Sequence, residues 1–386
     1  MPRRGSAKLF RFSLFQSSQG KPDYFFVGAF FLLLLIGIVI LSSASAVVSY
    51  QKFGTQNYYL IHQILFGLLP GLILFTITSR IDYHVWQKFS VAFLAISVVL
   101  LMLVFFPGIG FEYGGARRWI HVGSLLFQPS EVVKLTFLLY LASWLSSKGR
   151  KNLQDFSYGF LPFIVLIGTI AFLVIAQPDV GTMAVISAIA FTMYFIGGAP
   201  VPHLAVAGGA ALALFIVLIN TATYRLKRFM TFLNPELDPL GVGYHINQAL
   251  LAIGSGGLFG RGFGHSRQKF AYLPEVTGDS IFAIAAEELG FFFGVFLLGL
   301  YVFIAYRGLK IARSAPDDFG KFVAVGITAW IIFQAFINIG AMLSLLPLTG
   351  IPLPFVSYGG SSMLVSLTGI GILVNISRFA KTPSHN

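Results

Sequence analysis

Carboxylates are scarce in this chain, and several of them gather in one short stretch. The 386 residues include 14 acidic side chains, and Glu275, Asp279, Glu287 and Glu288 all lie in LPEVTGDSIFAIAAEELG. Asp279 directly precedes an apolar run, which is typical of a residue that caps a helix N-terminus. A carboxylate at the edge of such a run can instead act as a general base if it faces a cavity. The residues alone leave both roles open.

The neighbouring carboxylates cannot all join Asp279. On an ideal helix Glu287 lies about 80° around the axis from Asp279, and Glu288 lies about 180° away. At most one of these two can therefore share a cavity with Asp279, and Glu287 is the candidate. Glu275, one turn before Asp279, is a second candidate for a supporting role.

Two charges also open an apolar segment in QPSEVVKLTFLLYLASWL. Glu131 and Lys134 are three residues apart and face the same side of a helix. Charges inside a membrane are costly, so they are paired with each other or face a cavity. The pair therefore either fixes helix packing or lines the cavity that Asp279 faces.

Basic and hydroxyl side chains in the connecting segments are candidates for binding an anionic group. For Arg117 and Arg118, beside Trp119, the alternative is an anchor for lipid head groups. Asp179 in AQPDVGT is expected to cap a turn or helix. A Pro- and Gly-rich loop, PLTGIPLPFVSYGGSSM, either makes a tight turn or exposes its backbone and hydroxyl groups to a phosphate. The candidates are Arg117, Arg118, Arg225, Arg228, Arg261, Arg267, Lys269, Ser357 and Ser361.

The composition requires a lipid environment for these residues. The chain is 56% hydrophobic and 10% charged, with a mean hydropathy of +0.81, whereas soluble domains are about 25% charged. The net charge of +12 suits anionic lipid head groups or a phosphorylated substrate. Nucleic acid is a poor ligand because the basic residues are spread over many short loops. Cysteine is absent, which excludes thiol chemistry, and the scattered histidines predict no metal site.

Hydropathy predicts an all-α polytopic membrane protein with about ten transmembrane helices. Lys and Arg concentrate on the side of the N-terminus, which places both termini in the cytoplasm. The exception is a large extracytoplasmic loop, 222–280, between helices 7 and 8, which carries six basic residues and an amphipathic helix leading into a Gly-rich turn. The expected organisation is a basic tail over 1–23, a membrane domain over 24–378 and a second tail over 379–386. The predicted helices are 24–48, 58–79, 89–107, 132–146, 160–177, 181–198, 202–221, 281–305, 322–346 and 358–377.

Four blocks in order resemble one family over essentially the whole chain. They are GGARRWIHVGSLLFQPSEVVK, QPDVGT, LPLTGIPLPFVSYGGSSM and the long block from NPELDPLG to AAEELGF. Together they are similar to the SEDS family (shape, elongation, division and sporulation), whose members are peptidoglycan glycosyltransferases that polymerise lipid II. The family's essential aspartate falls on Asp279, and its membrane Glu and Lys fall on Glu131 and Lys134. Thr277 and Gly278 depart from the family pattern, which has His and a polar residue there.

The resemblance also implies a reaction and partners. The donor is lipid II, the bond formed is β-1,4, and the anomeric centre inverts, with Asp279 as the base. A divalent cation such as Mg²⁺ could share the stabilisation of the leaving pyrophosphate. The expected partners are a class B penicillin-binding transpeptidase and other division proteins, at the plasma membrane of the septum. The division branch is a closer resemblance than the elongation branch. A lipid flippase, or a scaffold that positions the transpeptidase, is the alternative function.

Overall fold

Long apolar helices make up most of the protein in this computed structural model, which describes residues 20–380 except 114, 115, 123, 124, 222, 235, 236, 239 and 240. Most of the two predicted tails lies outside the described residues. The helices are α1 Tyr24–Phe53, α2 Tyr58–Thr78, α3 His84–Lys88, α4 Ser90–Leu103, α5 Pro129–Leu153, α6 Phe156–Ala176, α7 Val180–Ile196, α8 Val201–Thr221, α9 Thr223–Leu233, α10 Val242–Gly256, α11 Ile281–Ser314, α12 Asp318–Met342 and α13 Gly360–Arg378.

Each of the ten predicted segments overlaps one of these helices. Six of the observed helices are long and apolar enough to cross a bilayer, namely α1, α2, α6, α11, α12 and α13. Helices α4, α7 and α8 are shorter apolar helices. Helix α5 carries the buried charges Glu131 and Lys134 in its first turns. The mostly helical architecture agrees with the prediction, and the number of membrane crossings remains a prediction.

A small antiparallel sheet between α4 and α5 was not predicted. Its strands are β1 Gly110–Tyr113, β2 Ala116–Val122 and β3 Leu125–Phe127, in the order β1-β2-β3. Ile120 pairs with Gly110 on one side and with Phe127 on the other. Ala116 and Ile120 are buried, so Arg118 lies on the packed face of the central strand and Arg117 on its opposite face, both before the start of α5.

Close helix contacts give the bundle its core. Helix α2 lies against α13 where Gly71 leaves room, because a Cβ there would come within 2.4 Å of Leu367. Small residues of this kind let membrane helices approach closely. Helix α12 packs on α5, α7 and α11, and it buries Trp330, Gln334 and Asn338 along one face. This face becomes the framework of the candidate site.

Helix α11 is broken where a continuous helix was expected. Gly290 has φ 80° and ψ −176°, a conformation that favours glycine. The Gly-rich turn after α10 fills the break: the amides of Arg261 and Gly262 donate to the carbonyls of Glu287 and Glu288, both at 3.0 Å. A Cβ on Gly290 would lie 2.3 Å from the amide nitrogen of Gly260. The Gly-rich turn predicted from the sequence therefore packs into the break of α11 and is hydrogen bonded to it.

Candidate active site

Asp279 lies at the end of an irregular segment that leads into α11. The N-cap position belongs to Ser280, and no side chain caps the helix, so the predicted capping role of Asp279 is not seen. Its Oδ1 atom is buried and has no hydrogen-bond partner among the described residues. Its Oδ2 atom would lie 4.0 Å from a Cβ on Gly350. The carboxylate therefore faces the Pro- and Gly-rich loop 347–359 and has hydrogen-bonding capacity to spare.

The surroundings of Asp279 change its acidity. Burial raises the pKa of Asp279 to about 7, and the negative charge of Glu275 adds to the rise. The positive charge of Arg228 opposes it, as do hydrogen bonds from the backbone. A carboxyl group with a pKa near the working pH is suited to accept a proton in a reaction.

Two side chains and one backbone amide hold the Asp279 segment against the loop 347–359. Asn338 is buried on α12 and donates from Nδ2 to the carbonyls of Asp279 and Ile351, both at 2.8 Å. Ser357 donates to the carbonyl of Gly278 at 2.7 Å. The amide of Tyr358 donates to the carbonyl of Thr277 at 2.8 Å. The backbone of Asp279 and of the two residues before it is thus fixed by elements far away in sequence.

A histidine from the predicted amphipathic helix reaches the same segment. His245 Nε2 lies 2.6 Å from the Ser280 hydroxyl oxygen, and that hydroxyl lies 2.7 Å from the carbonyl of Pro274. Because the Ser280 proton goes to Pro274, the imidazole Nε2 must donate. Burial lowers the pKa of His245 to about 4, with Arg228 adding to the effect. His245 is therefore neutral at pH 7 and orients the turn before α11.

Glu131 and Lys134 form a buried ion pair that is connected to this framework. Lys134 Nζ donates to Glu131 Oε1 and to Gln334 Oε1, both at 2.8 Å. Gln334 in turn donates to the carbonyl of Pro352 at 3.0 Å. The pair therefore joins α5 to α12 and to the loop that faces Asp279. Both proposed roles, helix packing and support of the cavity, are compatible with this position.

Lys269 is not placed to bind a substrate anion, which corrects its assignment as a candidate. It is buried, and its ammonium donates to Ser43 Oγ, the carbonyl of Gly264 and Glu288 Oε1, at 3.0, 2.8 and 2.8 Å. An ammonium has three protons, and all three are used here. Sequence position could not show this, because the partner hydroxyl lies on α1.

Glu287 and Glu288 both serve the loop that carries Lys269. Glu287 accepts from the amides of Arg267 and Gln268 and from the Ser266 hydroxyl. Glu288 accepts from the Gly264 amide at 3.0 Å. Neither carboxylate is hydrogen bonded to Asp279, so the structure gives Glu287 a role in holding the loop 261–269.

The predicted arginines differ in what they contact. Arg118 donates to the carbonyls of Gln177 and Pro178 and lies 4.0 Å from Asp179. Asp179 caps α7 by accepting from the Thr182 amide at 3.1 Å, as expected. The guanidinium of Arg118 is thus largely committed to the AQPDVGT turn.

The remaining cations are more accessible. Arg117 is exposed and pairs with Glu112 at 3.2 Å, and Arg261 donates to the carbonyl of Ser255 at 3.1 Å. Arg267 is exposed. Arg228 is exposed on α9, and its charge acts on both Asp279 and His245. The side chain of Arg225 lies outside the described residues.

The two predicted serines also differ. Ser357 is buried and bonded on both sides, since it accepts from the Leu353 amide and donates to Gly278. Ser361 is partly exposed and accepts from the Gln128 amide at 3.3 Å, so its proton remains available. Among the described residues no group of three or more His, Asp or Glu side chains could hold a metal ion.

Comparison with known proteins gives this arrangement a context. A family model described as "Cell cycle protein" and named for FtsW, RodA and SpoVE matches residues 24–382. The chain is 44% identical to "Stage V sporulation protein E" of Bacillus subtilis (strain 168) over 360 residues, which cover 93% of this chain and 98% of that protein. It is 39% identical to "Probable peptidoglycan glycosyltransferase FtsW" of Trichlorobacter lovleyi, over 88% of this chain and 89% of the relative.

Solved structures share the fold. A chain in "Structural coordination of polymerization and crosslinking by a peptidoglycan synthase complex" superposes with a TM-score of 0.76 at 29% identity, covering 92% of this chain and 98% of that one. The rod shape determining protein RodA of Thermus thermophilus superposes with a TM-score of 0.69 at 28% identity, covering 94% and 98%. The predicted fold is confirmed: this is a polytopic, multi-pass membrane protein.

Proposed function

Because the chain belongs to the cell cycle protein family that unites FtsW, RodA and SpoVE, we propose that it is a peptidoglycan glycosyltransferase that extends glycan strands from lipid II. The relatives named peptidoglycan glycosyltransferase support the activity. The observation that carries the assignment of the site is Asp279, a partly buried carboxylate whose pKa is raised to about 7 and whose buried Oδ1 atom has no partner among the described residues.

The proposed reaction is an inverting displacement. The hydroxyl oxygen of the acceptor sugar attacks the anomeric carbon of the donor sugar, and Asp279 takes the hydroxyl proton. The bond between that carbon and the pyrophosphate oxygen breaks, and the lipid pyrophosphate leaves with the electron pair. A new β-1,4 glycosidic bond forms from the α-linked donor. Base action of this kind typically contributes about 10²–10⁴-fold to a rate.

The leaving pyrophosphate needs positive charge. Arg228 is the first candidate, because its charge already acts on Asp279. Arg267 and Arg117 are exposed and could contribute, whereas the ammonium of Lys269 is fully hydrogen bonded. Arg228→Gln should therefore slow strand extension far more than Lys269→Gln does, when both variants are correctly folded.

The decisive experiment is lipid II polymerisation by the purified chain beside Asp279→Asn. The variant should lose at least about 100-fold in initial rate, as expected for removal of a general base, while its melting temperature stays at or above that of the wild type. Asp318→Asn, an exposed acidic residue in the first turn of α12, is the matched control. A wild-type rate for Asp279→Asn would overturn the assignment of the base.

A flippase is the alternative function, with Glu131 and Lys134 as gating charges. The pair is buried, and Lys134 is also bonded to Gln334 on α12. Such fixed partners suit a structural role better than gating, which favours the polymerase. Strand formation in detergent, where no second compartment exists, would exclude transport as the sole activity.

Location and partners complete the proposal. The similarity to FtsW proteins supports septal wall synthesis during division, with both termini in the cytoplasm and the loop 222–280 outside. The fold shared with a chain of a peptidoglycan synthase complex supports a penicillin-binding partner, and we propose a class B transpeptidase. Co-purification of the chain with each transpeptidase of its own cell tests this pairing.

A further inference from the structure

Several aromatic rings gather at the end of α1 and the start of α2, next to the Asp279 segment. Phe53 and Tyr58 are stacked with centroids 3.6 Å apart, and Tyr59 meets Tyr358 edge to face at 4.9 Å. The Tyr358 hydroxyl lies 2.9 Å from His62 Nδ1. We call Phe53, Tyr58, Tyr59, His62 and Tyr358 the aromatic cluster.

The aromatic cluster is continuous with the catalytic segment. The amide of Tyr358 donates to the carbonyl of Thr277 at 2.8 Å, and Thr277 lies two residues before Asp279. Gln63 ties the same loop to α2 by accepting from the Gly359 amide at 3.0 Å. A polymer chain that leaves Asp279 on this side would therefore meet the aromatic cluster next.

The surroundings of the cluster differ from those of lipid-facing aromatic residues. Helix α1 has 30 residues and is thus about 45 Å long, while the hydrocarbon core is about 30 Å thick. The segment 51–57 that joins the rings is exposed and polar, with Gln51, Lys52, Thr55, Gln56 and Asn57. Phe53 and Tyr58 keep 45% and 38% of their surface exposed among these groups.

This combination fits a saccharide. One face of a pyranose ring presents C–H groups, which pack well on the electron-rich face of an aromatic ring. Its equatorial hydroxyls need donors and acceptors, which amide, hydroxyl and imidazole groups supply. We propose that the aromatic cluster binds the nascent glycan strand and holds it between successive additions. This inference rests on the proposed function, because it assumes that Asp279 makes the strand.

The test compares the full-length wild type with Phe53→Ala/Tyr58→Ala. Binding of a soluble, uncrosslinked glycan oligosaccharide is measured by calorimetry, and strand length is measured on gels after lipid II polymerisation. The double variant should bind the oligosaccharide about tenfold more weakly, which corresponds to ~1.4 kcal/mol, and should release shorter strands. Tyr58→Phe, which keeps the ring, and Phe172→Ala, which removes an exposed ring near the end of α6, should both behave as the wild type.

Each other outcome has a distinct meaning. Unchanged affinity and strand length in the double variant would overturn the inference while the proposed function stands. Loss of a co-purifying transpeptidase with unchanged strand length would assign the surface to a protein partner instead and also overturn it. Absence of any strands from the wild type would overturn the proposed function. Should the double variant fail to fold, Phe53→Ala alone, at the exposed end of α1, provides the same measurement.

Discussion

At the residue scale, the acidity of Asp279 predicts how the rate depends on pH. Burial raises its pKa to about 7, and a general base must be deprotonated to act. Initial rates of strand extension should therefore rise about tenfold per pH unit below pH 7 and level off above it. The rate is measured from pH 5 to pH 9 at constant ionic strength.

Glu275 supplies an internal check of that profile. Its negative charge contributes to the raised pKa of Asp279, so Glu275→Gln should move the acid limb of the rate profile to lower pH. The substitution leaves every lysine and arginine in place, so a shift of the limb reports the charge of Glu275. A limb that stays in place would show that Glu275 does not act on the base.

The ionised carboxylate of Asp279 should lower the free energy of unfolding. The folded-state pKa of Asp279 is raised from 3.8 to about 7, so the group favours the folded state below pH 4 and loses that contribution as the pH rises through 7. Asp279→Asn removes the ionisation and should melt higher than the wild type at pH 8.5, with a smaller difference at pH 5. Thermal melting in one detergent at both values tests this, and a lower melting temperature at pH 8.5 would contradict it.

At the element scale, the buried Glu131–Lys134 pair should matter most when it is broken on one side. Removing one partner of a buried pair typically costs about 3–5 kcal/mol, because the other charge stays unpaired. Lys134→Met should therefore lower the melting temperature strongly. Glu131→Gln/Lys134→Met should recover most of that loss. If the single and double variants melt alike, the pair does not stabilise the packing of α5 on α12.

The break in α11 can be tested on the same helix. A Cβ on Gly290 would lie 2.3 Å from the Gly260 backbone, whereas nothing lies within 4 Å of a Cβ on Gly299. Gly290→Ala should therefore displace the loop 257–262 and lower both stability and strand extension. Gly299→Ala should fold normally, since alanine favours a helix interior by roughly 1 kcal/mol. Equal melting temperatures for the two variants would contradict the close approach.

These elements show what the sequence could and could not predict. Apolar length located the helices, and the family pattern selected Asp279. Arg118 interrupts the apolar face of Ala116 and Ile120, so the period-2 alternation that indicates a strand was not evident for the sheet. The break at Gly290 and the role of Lys269 depend on contacts with Gly260 and Ser43, and such contacts between distant segments have no local signal.

At the scale of the whole molecule, the arrangement of charges separates two faces. The ion pair between Arg307 and Asp23 and the cavity of about 670 Å³ lined by Arg150, Gln154 and Lys321 lie at the ends of helices opposite to Asp279. Positive residues concentrate on the cytoplasmic side of membrane proteins. The reaction is therefore expected on the outer face, and the face with the cavity is expected in the cytoplasm.

The absence of cysteine allows this orientation to be tested without altering any native thiol. Gln56→Cys lies in the exposed segment between α1 and α2, and Gln154→Cys lies on the exposed turn between α5 and α6. In intact cells a membrane-impermeant maleimide should label the first position and not the second, and both should react after the membrane is opened. Labelling of the Gln154 position in intact cells would reverse the predicted topology. It would also place Asp279 on the cytoplasmic side, where a strand destined for the wall could not be released outside.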